Sequence, residues 1–273
     1  MSALPPKTLS AAMRVTVPDG TTAPQSTPCG ATSCEDYYRR LHNSCGDVLD
    51  ATFANDTSGL QAESHSFIKD LEEWINALTG RPEREMLTAA LREYQFALLS
   101  LVHGQYRQAF MLLRLTLELL LGGVNFSGNE LELRIWLKGN RDLVWGSIIN
   151  VDSGVLSKKF IGAFFETLAD EAPHYRLMAE NVYRECSEYV HGNAATHSGL
   201  PETVSFSQTV FESWHQKARS LRLVASFTLC SRYVLLLDTS TRNSLEALLL
   251  ENLGHLAEVR AVLGAPVEPR SDG

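Results

Sequence analysis

From Ser66 onward the apolar residues of this chain keep to a helical period, and that rhythm constrains the fold more than any other feature. Phe67, Leu71, Trp74, Ile75 and Leu78 recur at spacings of three and four and stop at Gly80. Pro82 suits the first turn of a second helix, which carries Met86, Leu87, Ala90, Leu91, Tyr94, Leu98 and Leu101 and ends near His103-Gly104. A third helix is predicted from Tyr106 to Leu121, with Gly122-Gly123 as its stop signal. Further helical pieces are predicted at Glu130–Leu137, Leu143–Ile149, Ser157–Leu168, Pro173–His191, Gln208–Leu237 and Thr241–Leu263. Gly192–Pro201 reads as a loop and Glu202–Phe206 as a short extended piece. There is no internal repeat, heptad run or strand-rich block, so the pattern implies an all-α bundle.

Residues 1–33 are rich in Pro, Ser, Thr, Gly and Ala and read as a flexible leader. The leader region extends over 1–60, with a short helix expected around Tyr37–Leu49; the helical domain is 61–265, and prolines mark a tail at 266–273. An apolar content of 44% in 273 residues can supply a proper core, while a net charge of −8 argues against a protein that coats polyanions. It leaves room for a nuclease with a small basic site. No run reaches the roughly 18 uncharged apolar residues of a membrane span. Ala109–Leu121 is broken by Arg114 and Glu118, and Leu221–Leu237 by Arg222 and Arg232, so no membrane partner is expected. The first twenty residues hold no apolar signal core and the five cysteines are odd in number; a cytoplasmic protein with free thiols is expected. Cys29, Cys34, His42 and Cys45 offer zinc-ligand types, but not in the paired CxxC spacing of ribbons or fingers. No acidic cluster or HExxH helix accompanies His174, His191 and His197. No phosphate-binding glycine loop, dinucleotide fingerprint or nucleophile elbow is present either, so neither metal nor cofactor is expected. Trp74, Trp136, Trp145, Phe164, Phe165 and Trp214 read as core or interface, and His215 as a surface histidine.

The chemistry concentrates in Tyr183-Arg184-Glu185-Cys186-Ser187-Glu188-Tyr189-Val190-His191-Gly192. On one α-helix Arg184 and His191 project from a single stripe about 10 Å apart along the axis, with Ser187 between them. A permanent cation, an imidazole and a hydroxyl on one edge suit the handling of a phosphodiester. The same residues have a plainer reading. Arg184 is spaced to pair with Glu180 or Glu188, while His191 complements the helix dipole and Gly192 caps the helix. Arg114 and Glu118, four apart in an apolar helix, form either an internal pair that fixes bundle register or a supplement to the phosphate site.

The Tyr183–Gly192 stretch resembles the HEPN superfamily, whose motif is Arg, four to six residues, then His, near the end of a helix in an all-α bundle. Arg184–His191 fits the longest spacer, and Ser187 and Gly192 match variants with Ser four residues before the His and Gly after it. Tyr106–Glu118 resembles the helix with an Arg and a Glu that such proteins carry before the motif helix. The resemblance spans roughly Ser66 to Leu237. It implies a HEPN-like helical bundle with additional helices, acting on RNA without a metal as a toxin-like or anti-phage defence endoribonuclease. It further implies a homodimer that pairs two motifs, with products ending in 2′,3′-cyclic phosphate and 5′-hydroxyl groups. Arg184 and His191 would be catalytic, with Ser187, Asn193, Arg114 and Glu118 binding or orienting substrate. Glu185 stands where active members often carry Asn, Asp or His, and Asn193 where some carry Tyr. The alternative is a non-catalytic HEPN-like module that binds nucleotide, RNA or a protein partner. The leader is a candidate contact for a regulatory or antitoxin protein.

Overall fold

Ser33 opens the first helix, where its hydroxyl accepts the Asp36 N–H at 3.0 Å and Glu35 and Asp36 complement the helix dipole. The structure, a computed structural model, describes residues 33–191 and 194–266. Helix α1 (Cys34–Asn55) is longer than the Tyr37–Leu49 segment expected, and it buries Cys45, Val48 and Thr52 toward the body of the protein. Most of the expected leader, residues 1–32, lies outside the described residues. The Asp56 carboxylate accepts the N–H groups of Leu60 and Gln61, both at 2.9 Å, so α2 (Leu60–Ala77) starts well before the apolar run at Ser66.

Helix α3 (Arg84–Val102) follows a turn through Gly80, which takes a positive φ of 86°, and Pro82. Helix α4 (Tyr106–Phe126) does not stop at Gly122-Gly123 but runs through both. A Cβ on Gly123 would stand 3.1 Å from Met86 Cβ and from Leu87 Cδ1. These glycines therefore serve the close approach of α3 to α4 rather than a helix end. Short helices follow as expected at α5 (Glu130–Leu137) and, trimmed, at α6 (Trp145–Ile148) and α7 (Lys158–Phe164). A 3₁₀ turn, Glu166–Glu171, takes over the end of the predicted Ser157–Leu168 helix. Helix α8 (Ala172–Ser187) has Pro173 in its first turn. Where a loop was expected, Ala194–Gly199 forms helix α9, and Glu202–Phe206 forms no strand.

Helix α10 (Gln208–Tyr233) packs on α2, α4, α7 and α8, and on one of the three helices that replace the single predicted C-terminal helix. These are α11 (Thr239–Ser244), α12 (Glu246–Leu253), which makes the main contact, and α13 (Ala257–Leu263). The breaks between them turn Leu245 and Leu256 into the core. The result is all-α, with no strand among the described residues. Helix α4 alone among them is long and apolar enough to cross a membrane, yet 67% of its most apolar window is buried against its neighbours, as in a core helix.

Every residue from Val224 to Val234 is buried, so α10 is enclosed on all sides along that stretch. Two of its hydroxyls are satisfied within the helix: Thr228 donates to Val224 O and Ser231 to Phe227 O, both at 2.7 Å. Arg222 is buried against Asp70 at 2.8 Å and reaches Glu251 at 3.1 Å, tying α10 to α2 and α12. Burial raises the Asp70 carboxyl above the ordinary aspartate value, with Arg222 pulling against that. Glu83, at the start of α3, accepts from Arg81 at 2.6 Å and from the Tyr233 hydroxyl at 2.9 Å.

His215 is not on the surface. It is 3% exposed, with Nδ1 2.7 Å from Ser64 Oγ and no partner on Nε2. Burial pulls its pKa down to about 4, against weaker pulls upward from Asp56 and Glu63. Between pH 6.5 and 4 the unfolded chain therefore binds the proton that folded His215 refuses. Stability falls as the pH falls through that window, by roughly 2–3 kcal/mol from this group. Asp70 works in the opposite sense, so the comparison with His215→Gln isolates the histidine. Urea midpoints measured from pH 7.5 down to about 4.5 should drop more steeply in the parent than in the variant. Parallel slopes would show that His215 is not held neutral.

Candidate functional site

Tyr183 is the junction from which the end of α8 is built. Its hydroxyl accepts from Arg114 Nη2 at 2.6 Å, and the Arg114 guanidinium carbon lies 4.3 Å from its ring centre. Trp145 stacks on the same ring at 3.9 Å with the planes 2° apart. The Tyr183 carbonyl accepts the Ser187 hydroxyl at 2.6 Å. Arg114 also reaches Glu118 at 3.2 Å, with both side chains about four-fifths covered. The pair spaced four apart on α4 therefore does form, and it fastens α4 to α8 through Tyr183 rather than pointing freely at solvent. Burial and Glu118 raise the Tyr183 phenol above its ordinary value. The proton of Ser187 is committed to the helix backbone, which leaves its oxygen only as an acceptor toward any substrate.

Arg184 is exposed, and Nη2 donates to Asn181 Oδ1 at 3.1 Å. It makes no ion pair with Glu180 or Glu188, although both stand four residues away. Glu180 is taken by Arg176, one turn earlier. Glu188 lies past the end of the helix, which stops at Ser187 rather than His191. Beyond that point the N–H groups of Tyr189 and Val190 bond three residues back, to Cys186 and Ser187, and the N–H of His191 bonds to Ser187 O. The tightened turn lays the Tyr189 ring flat on Phe110 of α4 at 3.8 Å. His191 is thus on the exit turn rather than on the same α-helical stripe as Arg184. Its side chain is exposed and has no hydrogen bond or ion pair among the described residues. Asn193 and Gly192 lie outside the described residues.

Three participants were not foreseen. Lys217 of α10 pairs with Glu185 at 2.9 Å while donating to Ser213 Oγ at 3.0 Å, so the carboxylate beside Arg184 is neutralised from below. Nothing in the spacing of Lys217 pointed to α8. Trp145 and the Phe110–Tyr189 stack are the other two, and aromatic residues flanking the motif were their only signal. Nearby, Arg107 at the start of α4 donates to His197 Nε2 at 3.0 Å, holding α9 against α4. Among the described residues no group of three or more His, Cys, Asp or Glu side chains is placed to hold a metal. Cys34 and Cys45 sit eleven residues apart on α1, the first exposed and the second buried, and Cys29 lies outside the described residues.

Chemically, the end of α8 presents an exposed guanidinium without a carboxylate partner and, seven residues on, an exposed imidazole. Arg114, Glu118, Tyr183 and Lys217 brace the backbone beneath them. Comparison of the chain with protein-family models, with curated proteins and with solved structures returned no match.

Cys186 lies on the opposite, inward side of α8, and burial pushes its thiol up to about 12. Cys230 in α10 is likewise pushed up to about 12 by burial. With native protein at pH 8, iodoacetamide followed by peptide mapping should label exposed Cys34 and spare Cys186 and Cys230 until urea is added. Labelling of Cys186 as fast as Cys34 would mean that α8 is not packed as described.

Proposed function

We propose that this chain is a HEPN-type endoribonuclease of the toxin or defence kind, cutting RNA without a metal ion as a homodimer. The observation that carries the reading is the exposure of Arg184 and His191 at one helix end, with Arg184 left free of carboxylates and Glu185 already paired to Lys217. A guanidinium in that state keeps its donors for phosphate oxygens. In the reaction an RNA 2′-hydroxyl attacks the adjacent phosphorus and the bond to the 5′-oxygen breaks. One His191 takes the 2′-hydroxyl proton and the partner copy's His191 delivers a proton to the departing oxygen. Arg184 stabilises the charge that builds on the phosphorane oxygens. Ser187 accepts a hydrogen bond from a ribose hydroxyl, and Asn193 orients the substrate. Arg114 and Glu118 act at one remove, holding Tyr183 and with it the backbone that carries Arg184.

Purified full-length protein incubated with structured and unstructured RNA in excess EDTA should give fragments with 2′,3′-cyclic phosphate and 5′-hydroxyl ends. His191→Ala and Arg184→Ala should each lower the rate by at least about 100-fold with melting temperatures unchanged, as expected for loss of an acid–base or charge-stabilising group. Intact RNA in the presence of folded, dimeric protein would sink the proposal and favour a helical module that binds without cutting.

A further inference from the structure

A cavity of about 380 Å³ lies between the C-terminal turn of α4, the loop after α6 and helix α7, a part of the fold that the α8 site does not use. That volume falls in the range of about 300–1,000 Å³ occupied by small-ligand sites. Its apolar walls are the rings of Phe160 and Phe164, and its polar groups include the Asn125 and Asn129 amides and Lys159. Among the described residues no carboxylate lines it. Ser157, 2% exposed, also lines the cavity; its hydroxyl oxygen accepts the Phe160 N–H at 3.0 Å, which leaves its proton uncommitted.

The walls are set in advance. Phe160 packs so closely on Gly128 that a Cβ there would stand 3.2 Å from the ring. The rim loop is held by Asn150, whose side-chain oxygen accepts the N–H groups of Asp152 and Ser153, both at 3.0 Å. A Cβ on Gly154 would collide with Ile148 O and Asn150 O, so this loop has little room to relax.

Behind Phe164 sits a cation without an anion. The Arg232 guanidinium lies 3.9 Å from the Phe164 ring centre, and the residue is 7% exposed. Nε donates to Ser127 Oγ at 2.8 Å and Nη2 to Ser127 O at 3.3 Å, but Nη1 is buried with no partner. Glu83, the carboxylate whose field reaches it, is already engaged by Arg81 and Tyr233. A buried charge left without a counter-ion is costly, and an anion in the adjoining cavity would offset that cost.

We propose that this cavity binds a nucleoside monophosphate. Lys159 on the cavity wall, with the field of Arg232 from behind Phe164, matches a phosphate monoester, which carries a charge near −2 at neutral pH. The phenylalanine faces suit a base, and each Asn amide offers both a donor and an acceptor to its edge. The volume suits one nucleotide rather than a strand.

The test is calorimetric titration of the full-length protein with AMP, GMP, CMP and UMP, and separately with the parent nucleosides and with inorganic phosphate. At least one monophosphate should bind with Kd below about 1 mM, and its nucleoside and free phosphate should each bind at least about tenfold more weakly. Lys159→Ala, at an exposed position, should weaken binding by about fivefold or more without a change in melting temperature, and Phe160→Leu, which removes the ring but keeps most of its bulk, should weaken it by a similar factor. Arg184→Ala/His191→Ala protein should bind as the parent does, which separates this cavity from the α8 site and leaves the test independent of nuclease activity. The proposal is overturned if none of the four binds, if binding survives both cavity variants, if the nucleoside binds as tightly as the monophosphate, or if binding disappears only in the α8 double variant.

Discussion

Helix α10 is enclosed on every side from Val224 to Val234, so the partners of its buried polar groups come from within the protein, and they position much of what surrounds it. The Thr228 and Ser231 hydroxyls fold back on its own carbonyls. Its two buried arginines draw in partners from distant parts of the chain. Arg222 brings Asp70 of α2 and Glu251 of α12 to one side, and Arg232 brings the Ser127 turn and the Phe164 ring to another. Helix α8 is seated on the same helix through Tyr175, which stacks on Phe227 at 3.8 Å. Because a buried pair broken by removing one partner leaves an uncompensated charge, these contacts resist rearrangement. The end of α8 is therefore held by a rigid neighbour, as an exposed site on a short turn requires.

Arg184 pairs with no carboxylate although the sequence places two within reach, and that absence has a structural cause. Arg39 pairs with Glu35, Arg134 with Glu130 and Arg176 with Glu180, all at a spacing of four. Arg184 has two glutamates at the same spacing and pairs with neither, because one is occupied and the other has left the helix. Surface ion pairs contribute little stability, about 0–1 kcal/mol, so leaving one unmade costs the fold almost nothing. The gain is local. In a chain of net charge −8, an arginine without a carboxylate partner and a glutamate neutralised by Lys217 make the end of α8 less hostile to an anion than the average surface.

Much of the fold was legible because apolar periodicity reports directly on burial. Glu130–Leu137 matches α5 end for end, and α3 lies where Met86 to Leu101 placed it. The misreadings share one origin, in that local signals carry more than one meaning. Gly122-Gly123 looked like a stop, but a glycine also removes a Cβ where helices meet, and only the position of Met86 and Leu87 decides between the two. Asp56 caps a helix whose first turns are polar, so its role was invisible to a search for apolar repeats. His215 looked like a surface residue because the sequence cannot show Ser64 across from it. At the site, the Arg114–Glu118 pair was readable from spacing. Its use was not, since Tyr183 and Trp145 meet it only through the packing of α4 against α8. Lys217 had no sequence signal at all.

Helix α10 carries one residue of each region under discussion: Lys217 beneath the α8 site and Arg232 behind the α7 cavity. Their separation of fifteen positions corresponds to about 22 Å of helix. A helix with Val224–Val234 buried all round has no second register to slide into, so it offers no two-state element by which one end could inform the other. The more direct covalent route runs from α7 through the Glu166–Glu171 turn into Ala172, the first residue of α8. Along it, Lys158 and Asp170 join the start of α7 to that turn at 2.6 Å, while Leu168 and Ala172 are buried. That segment is anchored at both ends by core residues and only bridged by an exposed ion pair, a contact that falls away with salt. The physical arrangement therefore keeps the two regions energetically separate, each stabilised by its own contacts to α10.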